Sequence, residues 1–198
     1  EQAANGTYSG ESLRAIQSEV DGRLAEGQRI IQNSNYNGIQ LFQAPEKESE
    51  SKFIKEVVRL SEEEALAQGY TLIKTADELQ AMQDNLSGKY ILMNDIDLAG
   101  YSWTAVGTSS DLFSGEFNGN GYVISNLTIN EPTKQFQGLF GVGDARTSYS
   151  NVGLENVNVK GGAATGGLIG SGAVYIDNCY VTGAVSGDYR VGGVVGDF

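Results

Sequence analysis

The chain has 198 residues, 40% of them apolar and 9% aromatic, which is ordinary for a folded protein, and a net charge of −12. The charge divides as −2 over residues 1–43, −6 over 44–100 and −4 over 101–198, so no segment attracts a nucleic-acid backbone or an anionic membrane. Histidine is absent, Cys179 is the single cysteine and no run approaches 18 apolar residues, which argues against histidine catalysis, disulfides, thiolate clusters and a membrane-spanning helix.

From about Ser9 to Asn33 the apolar residues Leu13, Ile16, Val20, Leu24 and Ile31 lie on one helical stripe, with Arg14, Glu19, Asp21, Arg23 and Glu26 elsewhere. One helix cannot bury its own stripe, so its partners are expected outside this sequence or in a neighbouring molecule. Asn35-Tyr36-Asn37-Gly38 ends the helix, because Asn-Gly accepts the positive φ of a tight turn. Residues 45–52 read as a polar connector and 53–60 as a strand. Ser61-Glu62-Glu63-Glu64 and Thr75-Ala76-Asp77-Glu78 are capping boxes that open two short helices, closed by Gly69 and Gly88.

The pattern then changes. From Gly100 onward the chain carries 20 of its 27 glycines. Gly138-Leu139-Phe140-Gly141, Gly167-Leu168-Ile169-Gly170 and Gly193-Val194-Val195-Gly196 begin 29 and then 26 residues apart. A repeat of that length signals a solenoid, each unit burying its apolar face against its neighbours, and the two short helices then read as its cap. Laying Ile124-Ser125-Asn126-Leu127 over Tyr149-Ser150-Asn151-Val152 and Ile176-Asp177-Asn178-Cys179 predicts one column of stacked amides, Asn126, Asn151 and Asn178. Cys179 then replaces Leu127 and Val152 as a packed inward thiol.

Two stretches resemble known families. Residues 1–7 (EQAANGT), Leu13 through Val20, Arg23-Leu24 and the NSNYNGIQL of 33–41 are similar to the end of the conserved N-terminal half of bacterial flagellin. Gly22 and Gly27 depart from it, each weakening a helix interior by roughly 0.5–1 kcal/mol against alanine. The glycine blocks, with Asp95-Ile96-Asp97-Leu98, Trp103-Thr104-Ala105-Val106-Gly107 and residues 117–127, resemble the GLUG-repeat family, whose repeats occur in secreted bacterial adhesins and beside some immunoglobulin-cleaving proteases. That second resemblance implies a right-handed parallel β-helix. The domains expected are therefore a flagellin rod helix and turn over 1–43, a connector over 44–69 and a mainly β solenoid over 70–198. Both ends read as cut, so a longer protein is expected.

The resemblances imply a structural subunit of an extracellular flagellar filament, whose partners are other flagellin subunits and whose solenoid faces outward. They also imply contact of Ile16, Glu19 and Arg23 with the vertebrate innate receptor for flagellin. The competing expectation for those three is a core isoleucine beside an exposed i,i+4 ion pair. Among chemical candidates, Asp95, Asp97, Asp111, Asn118 and Asn120 could offer oxygens to calcium, but the two aspartates alternate with Ile96 and Leu98 as outward strand residues should. A carboxylate pair for glycoside hydrolysis lacks the accompanying basic residues. The glycine blocks lack the Gly-Lys-Ser/Thr ending of a phosphate loop. Tyr101, Trp103, Tyr122, Tyr149, Tyr175, Tyr180 and Tyr189 could stack on a surface glycan. The expectation is no enzyme, no cofactor and no metal, with a secreted adhesin or carbohydrate-binding β-helix module without a filament role as the alternative to a filament subunit.

Overall fold

The computed structural model describes residues 19, 23, 35, 36, 39, 40, 53 and 55–198. The chain divides into two units, Glu1–Glu50 and Ser51–Phe198. In the first, β1 (Asn35–Tyr36) pairs antiparallel with β2 (Ile39–Gln40), placing the two strands on either side of Asn37-Gly38. Glu19 and Arg23 are helical. Leu13, Ile16, Val20, Leu24 and Ile31, the expected packing stripe, lie outside the described residues.

The second unit is a β-solenoid of about four turns. It opens with α1 (Glu62–Ala67), capped by Ser61, whose hydroxyl accepts from the Glu64 N–H while the Glu64 carboxylate accepts from the Ser61 N–H. The two bonds satisfy donors that a helix start otherwise leaves open. An edge strand, β3 (Thr71–Ile73), follows. Next come α2 (Ala76–Gln80), opened by the same device at Thr75 and Glu78, and a 3₁₀ turn (Ala81–Asp84). Leu79 and Met82 from this pair of turns are fully buried and Leu86 packs beside them, closing the first end of the core.

Four rungs then stack in parallel. Rung 1 holds β4 (Lys89–Leu92) and β5 (Ile96–Asp97); rung 2 holds β6 (Glu116–Ser125), β7 (Thr128–Asn130) and β8 (Phe140–Val142). Rung 3 holds β9 (Ser148–Lys160), β10 (Thr165–Gly166) and β11 (Ile169–Ser171). Rung 4 holds β12 (Tyr175–Asp177), β13 (Tyr180–Ser186), β14 (Val191–Gly192) and β15 (Val195–Asp197). The order β12-β9-β6-β4-β3 forms one stack and β15-β11-β8 another, with each strand beside its counterpart in the next rung. Parallel strands buried on their inner face need apolar residues rung after rung. Ile96, Ile124 and Leu154 supply one such row, while Phe113, Phe117, Phe140 and Tyr149 fill the middle with ring centroids 4.7–5.9 Å apart.

The glycine blocks place rungs where side chains would collide. A Cβ on Gly170 would stand 2.5 Å from the Phe136 carbonyl carbon, and one on Gly141 would overlap the Gly107 carbonyl oxygen. Glycine is required there by close approach of backbone to backbone.

One expected element is absent. Residues 56–60 carry no regular secondary structure despite their strand-like sequence. Apolar β-branched residues make a strand only when another main chain lies alongside to receive the hydrogen bonds. Here Lys55 and Leu60 bond instead to asparagine side chains 123 and 60 positions downstream, so no ladder forms.

Candidate functional site: the corner columns of the solenoid

A β-solenoid turns its corners by placing residues at positive φ, which most L-residues avoid and asparagine tolerates best. Three sets of corners share this solution. Asn120 (φ 53°), Asn151 (51°) and Asn178 (53°) occupy the first, Asn126 (60°) and Asn156 (54°) the second, and Phe136 (59°), Ala164 (57°) and Arg190 (56°) the third.

At the first corner Asn178 Nδ2 donates to Asn151 Oδ1 at 2.9 Å, so rungs 3 and 4 are joined by side chain as well as by main chain. Asn178 is 8% exposed and Asn120 1%. An amide buried to that degree needs its donors and acceptor filled. Asn120 Oδ1 accepts from the Leu60 N–H at 2.8 Å, and its Nδ2 donates to the carbonyls of Leu60 (3.1 Å) and Leu92 (3.3 Å).

At the second corner Asn156 Nδ2 donates to Asn126 Oδ1 (2.6 Å), and Asn126 Nδ2 donates to Asp97 Oδ1 (2.7 Å). Asp97 also accepts from the Ala99 N–H. The Asn126 amide first, and that N–H second, hold the Asp97 carboxyl below its ordinary range. The Asn156 N–H donates to Thr182 Oγ1 in rung 4.

The structure thus divides the expected column Asn126, Asn151 and Asn178 between two corners. Asn151 and Asn178 stand together, whereas Asn126 opposes Asn156, its N–H donating to the Glu155 carbonyl. The cause is a register shift: Asn118 pairs with Ser150 and Tyr122 with Val152, leaving residues 119–121 against Asn151 alone. Such a bulge adds residues to one strand and displaces every later one. Asn120 sits inside it and takes the place expected of Asn126. Cys179 does stand beside Val152, because Tyr180 pairs with Gly153, but Leu127 belongs elsewhere, beside Val157, its carbonyl accepting from the Asn158 N–H. Burial pushes the Cys179 thiol up to about 11, so it is a packed and unreactive group.

The other candidates have structural partners. Asp95 Oδ1 accepts from the Val123 N–H at 2.8 Å and Asn118 Oδ1 from the Asn120 N–H at 2.8 Å. Asp111 Oδ2 accepts from the Ser110 hydroxyl. Among the described residues no group of three or more His, Cys, Asp or Glu side chains could hold a metal. Trp103 is buried, with its Nε1 donating to the Leu139 carbonyl. Tyr101 donates to Asp77, Tyr180 to Glu155, and the Arg59 guanidinium lies 3.9 Å over the Tyr122 ring. Tyr149 is sealed in the core, its hydroxyl buried and unpartnered. Tyr175 and Tyr189 alone of the expected set are largely exposed, at 71% and 57%. A cleft of about 430 Å³ lies between Trp103, Thr108, Glu131 and Phe136. In the first unit Arg23 Nη2 stands 2.6 Å from Glu19 Oε1, both side chains mostly in solvent. No helix among the described residues is long and apolar enough to cross a membrane.

No protein-family model matches this chain. A stretch of 133 residues is 30% identical to Halomucin of Haloquadratum walsbyi, covering 61% of this chain and 2% of Halomucin. Another of 121 residues is 35% identical to a provisionally named Gly-rich membrane protein of Evansella cellulosilytica, covering 56% of this chain and 14% of that protein. The chain therefore spans only a small part of the length of these relatives. Among solved structures, a provisionally assigned immunoglobulin A1 protease from Bacteroides ovatus overlaps 64% of this chain and 61% of its own, at a TM-score of 0.40 and 19% identity. A likeness that partial carries no argument about activity. What this chain shares with its relatives is part of their length.

Proposed function

We propose that this chain is a display protein without catalytic chemistry: a subunit of the bacterial flagellar filament whose residues 1–43 belong to the rod and whose solenoid is the outward-facing variable region. The observation that carries the display half is the use of the solenoid's polar groups. Asp95, Asp97 and the corner asparagines bond to the rungs and to residues 55 and 60 of the same unit, which builds a surface held by its own polar groups. The filament half rests on the order of the QAANGT, IQSEV and NSNYNGIQL motifs. Export through the flagellar channel suits a chain that depends on no disulfide, and a right-handed coil is the hand that parallel β connections nearly always take. The location is then extracellular, with other copies of the subunit as partners and a surface glycan or the innate flagellin receptor as further ones.

A secreted adhesin is the second reading, favoured by the relatives. Both are far longer than this chain, and one carries the word membrane in its name. Immunogold labelling of source cells with antibody against residues 61–198 separates the two. Gold along flagellar filaments is expected, and gold confined to the cell envelope would replace the filament reading with the adhesin. For the receptor contact, Glu19→Ala removes an exposed ion pair worth a few tenths of a kcal/mol. Weaker receptor binding at an unchanged melting temperature is expected; unchanged binding leaves Glu19 a surface residue only.

A further inference from the structure

Residues 55–60 reach solenoid rungs far along the sequence. The Lys55 N–H donates to Asn178 Oδ1 at 3.0 Å, and Asn178 Nδ2 donates back to the Lys55 carbonyl at 3.1 Å. Five residues on, the Leu60 N–H and carbonyl make the same pair of bonds with Asn120. Each asparagine amide thus reads both main-chain groups of one residue, as a neighbouring strand would. Asn178 belongs to rung 4 and Asn120 to rung 2, so the segment runs along the solenoid axis, across the rungs. Six residues cover roughly 17 Å when extended, and two rung spacings are about 10 Å, so the reach is comfortable.

The flanking contacts favour the same placement. Lys55 Nζ lies 2.5 Å from Asp177 Oδ1, Arg59 Nη2 donates to the Gly121 carbonyl at 2.9 Å, and Phe53 stacks edge-on against Tyr180 with centroids 5.1 Å apart. Gly121 lacks the Cβ that would press on Val57, at 3.1 Å.

We propose that Asn120 and Asn178, at the two ends of the column, form a main-chain-binding surface, that residues 55–60 are its occupant, and that the Lys55 end of the occupant docks only when rung 4 has formed. A strap held in this way ties the residues around Phe53 to the flank of the solenoid at rung 4, 123 residues from their partner in sequence. It also couples the polypeptide entering the solenoid to completion of the solenoid. The inference stands whether or not the preceding residues belong to a flagellin.

Limited trypsin digestion of the whole chain tests it, since Lys55 and Arg59 are cleavage sites inside the strap. Slow cutting after both is expected in the unaltered chain, by at least ten-fold relative to a free peptide of residues 51–62. Asn178→Ala should restore fast cutting while cleavage after Lys89 and the β-type circular dichroism stay unchanged. Lys55→Pro leaves every rung intact but removes the N–H that Asn178 accepts, so cutting after Arg59 should rise at least three-fold even if Asn178→Ala disturbs rung 4. Lys55→Ala, which removes the ion pair and keeps the N–H, should change cutting after Arg59 less than two-fold. Fast cutting of the unaltered chain, or the same rate in Lys55→Pro as in Lys55→Ala, overturns the proposal.

Discussion

Two corners of the same solenoid make the same backbone turn with different chemistry. At the first, asparagines take positive φ and spend their amides on one another and on the strap; at the third, Phe136, Ala164 and Arg190 take the same φ with no such side-chain amide. Left-handed backbone costs an ordinary L-residue about 1–2 kcal/mol. The third corner tolerates this because glycines surround it: Gly170 lies directly against Phe136, and Gly196 against Ala164 and Thr165. The comparison teaches that a β-solenoid can hold a corner by bonding or by close backbone packing. Only the bonded corner leaves groups that can hold another segment.

The packed corner should be the more brittle. Gly170→Ala puts a methyl 2.5 Å from the Phe136 carbonyl carbon and 2.7 Å from its Cα, with backbone on both sides. Overpacking of this kind costs about 1–3 kcal/mol and occasionally more, and with main chain as the neighbour the upper end is expected in guanidinium unfolding of the variant. A loss under about 1 kcal/mol would mean that the rungs part easily there.

The bonded corner should lose its stability in two separable parts. Asn178→Ala gives up the amide bonds, at about 1–3 kcal/mol for buried groups, and adds the left-handed cost. Asn178→Gly gives up the amide alone, so it should be the more stable of the two by about 1 kcal/mol. Equal stabilities would remove backbone conformation from the explanation of these asparagines.

Cys179 follows Asn178 and faces the core, and its thiol is raised by burial to about 11. A raised pKa favours the neutral folded form. Its contribution is therefore complete below the unfolded value near 8.5 and is lost as pH rises through the folded value. Thermal melts between pH 8 and pH 11 should fall less steeply for Cys179→Val than for the unaltered chain. On the acid side, Asp97 is held low by Asn126 and Ala99, so its contribution exists above about pH 4 and disappears as pH falls through the lowered value. Identical alkaline slopes would mean that the thiol remains wet. The smallest effect belongs to Ala164→Gly, where relief of positive φ opposes the loss of a buried methyl and of chain stiffness. A net change within about 1 kcal/mol is expected in the same unfolding assay.

Much of this was legible in the residues. The glycine blocks marked rungs 2 to 4, both capping boxes stood where Ser61–Glu64 and Thr75–Glu78 indicated, and the pairing of Cys179 with Val152 followed from matching short motifs. The motif match failed at Asn126 because the bulge at 119–121 lengthens rung 2, and a bulge leaves no mark beyond the glycines Gly119 and Gly121, which also read as a plain turn. The strap was missed because β-rich composition reports a preference for extended backbone and not the partner that will receive its hydrogen bonds. That partner is a side chain, at Asn120 and Asn178, and no local pattern near Lys55 or Leu60 specifies it. The third corner left no signal at all, since phenylalanine, alanine and arginine share nothing that announces positive φ.

The central claim, that the asparagine column couples successive rungs, is tested most directly by a double-mutant cycle on Asn151→Ala and Asn178→Ala, read by guanidinium unfolding of the whole chain. Asn178 Nδ2 donates to Asn151 Oδ1 at 2.9 Å, so the two losses should fall short of additivity by about 1 kcal/mol. Strict additivity, with Asn151→Ala no more costly than the surface change Lys160→Ala, would contradict it.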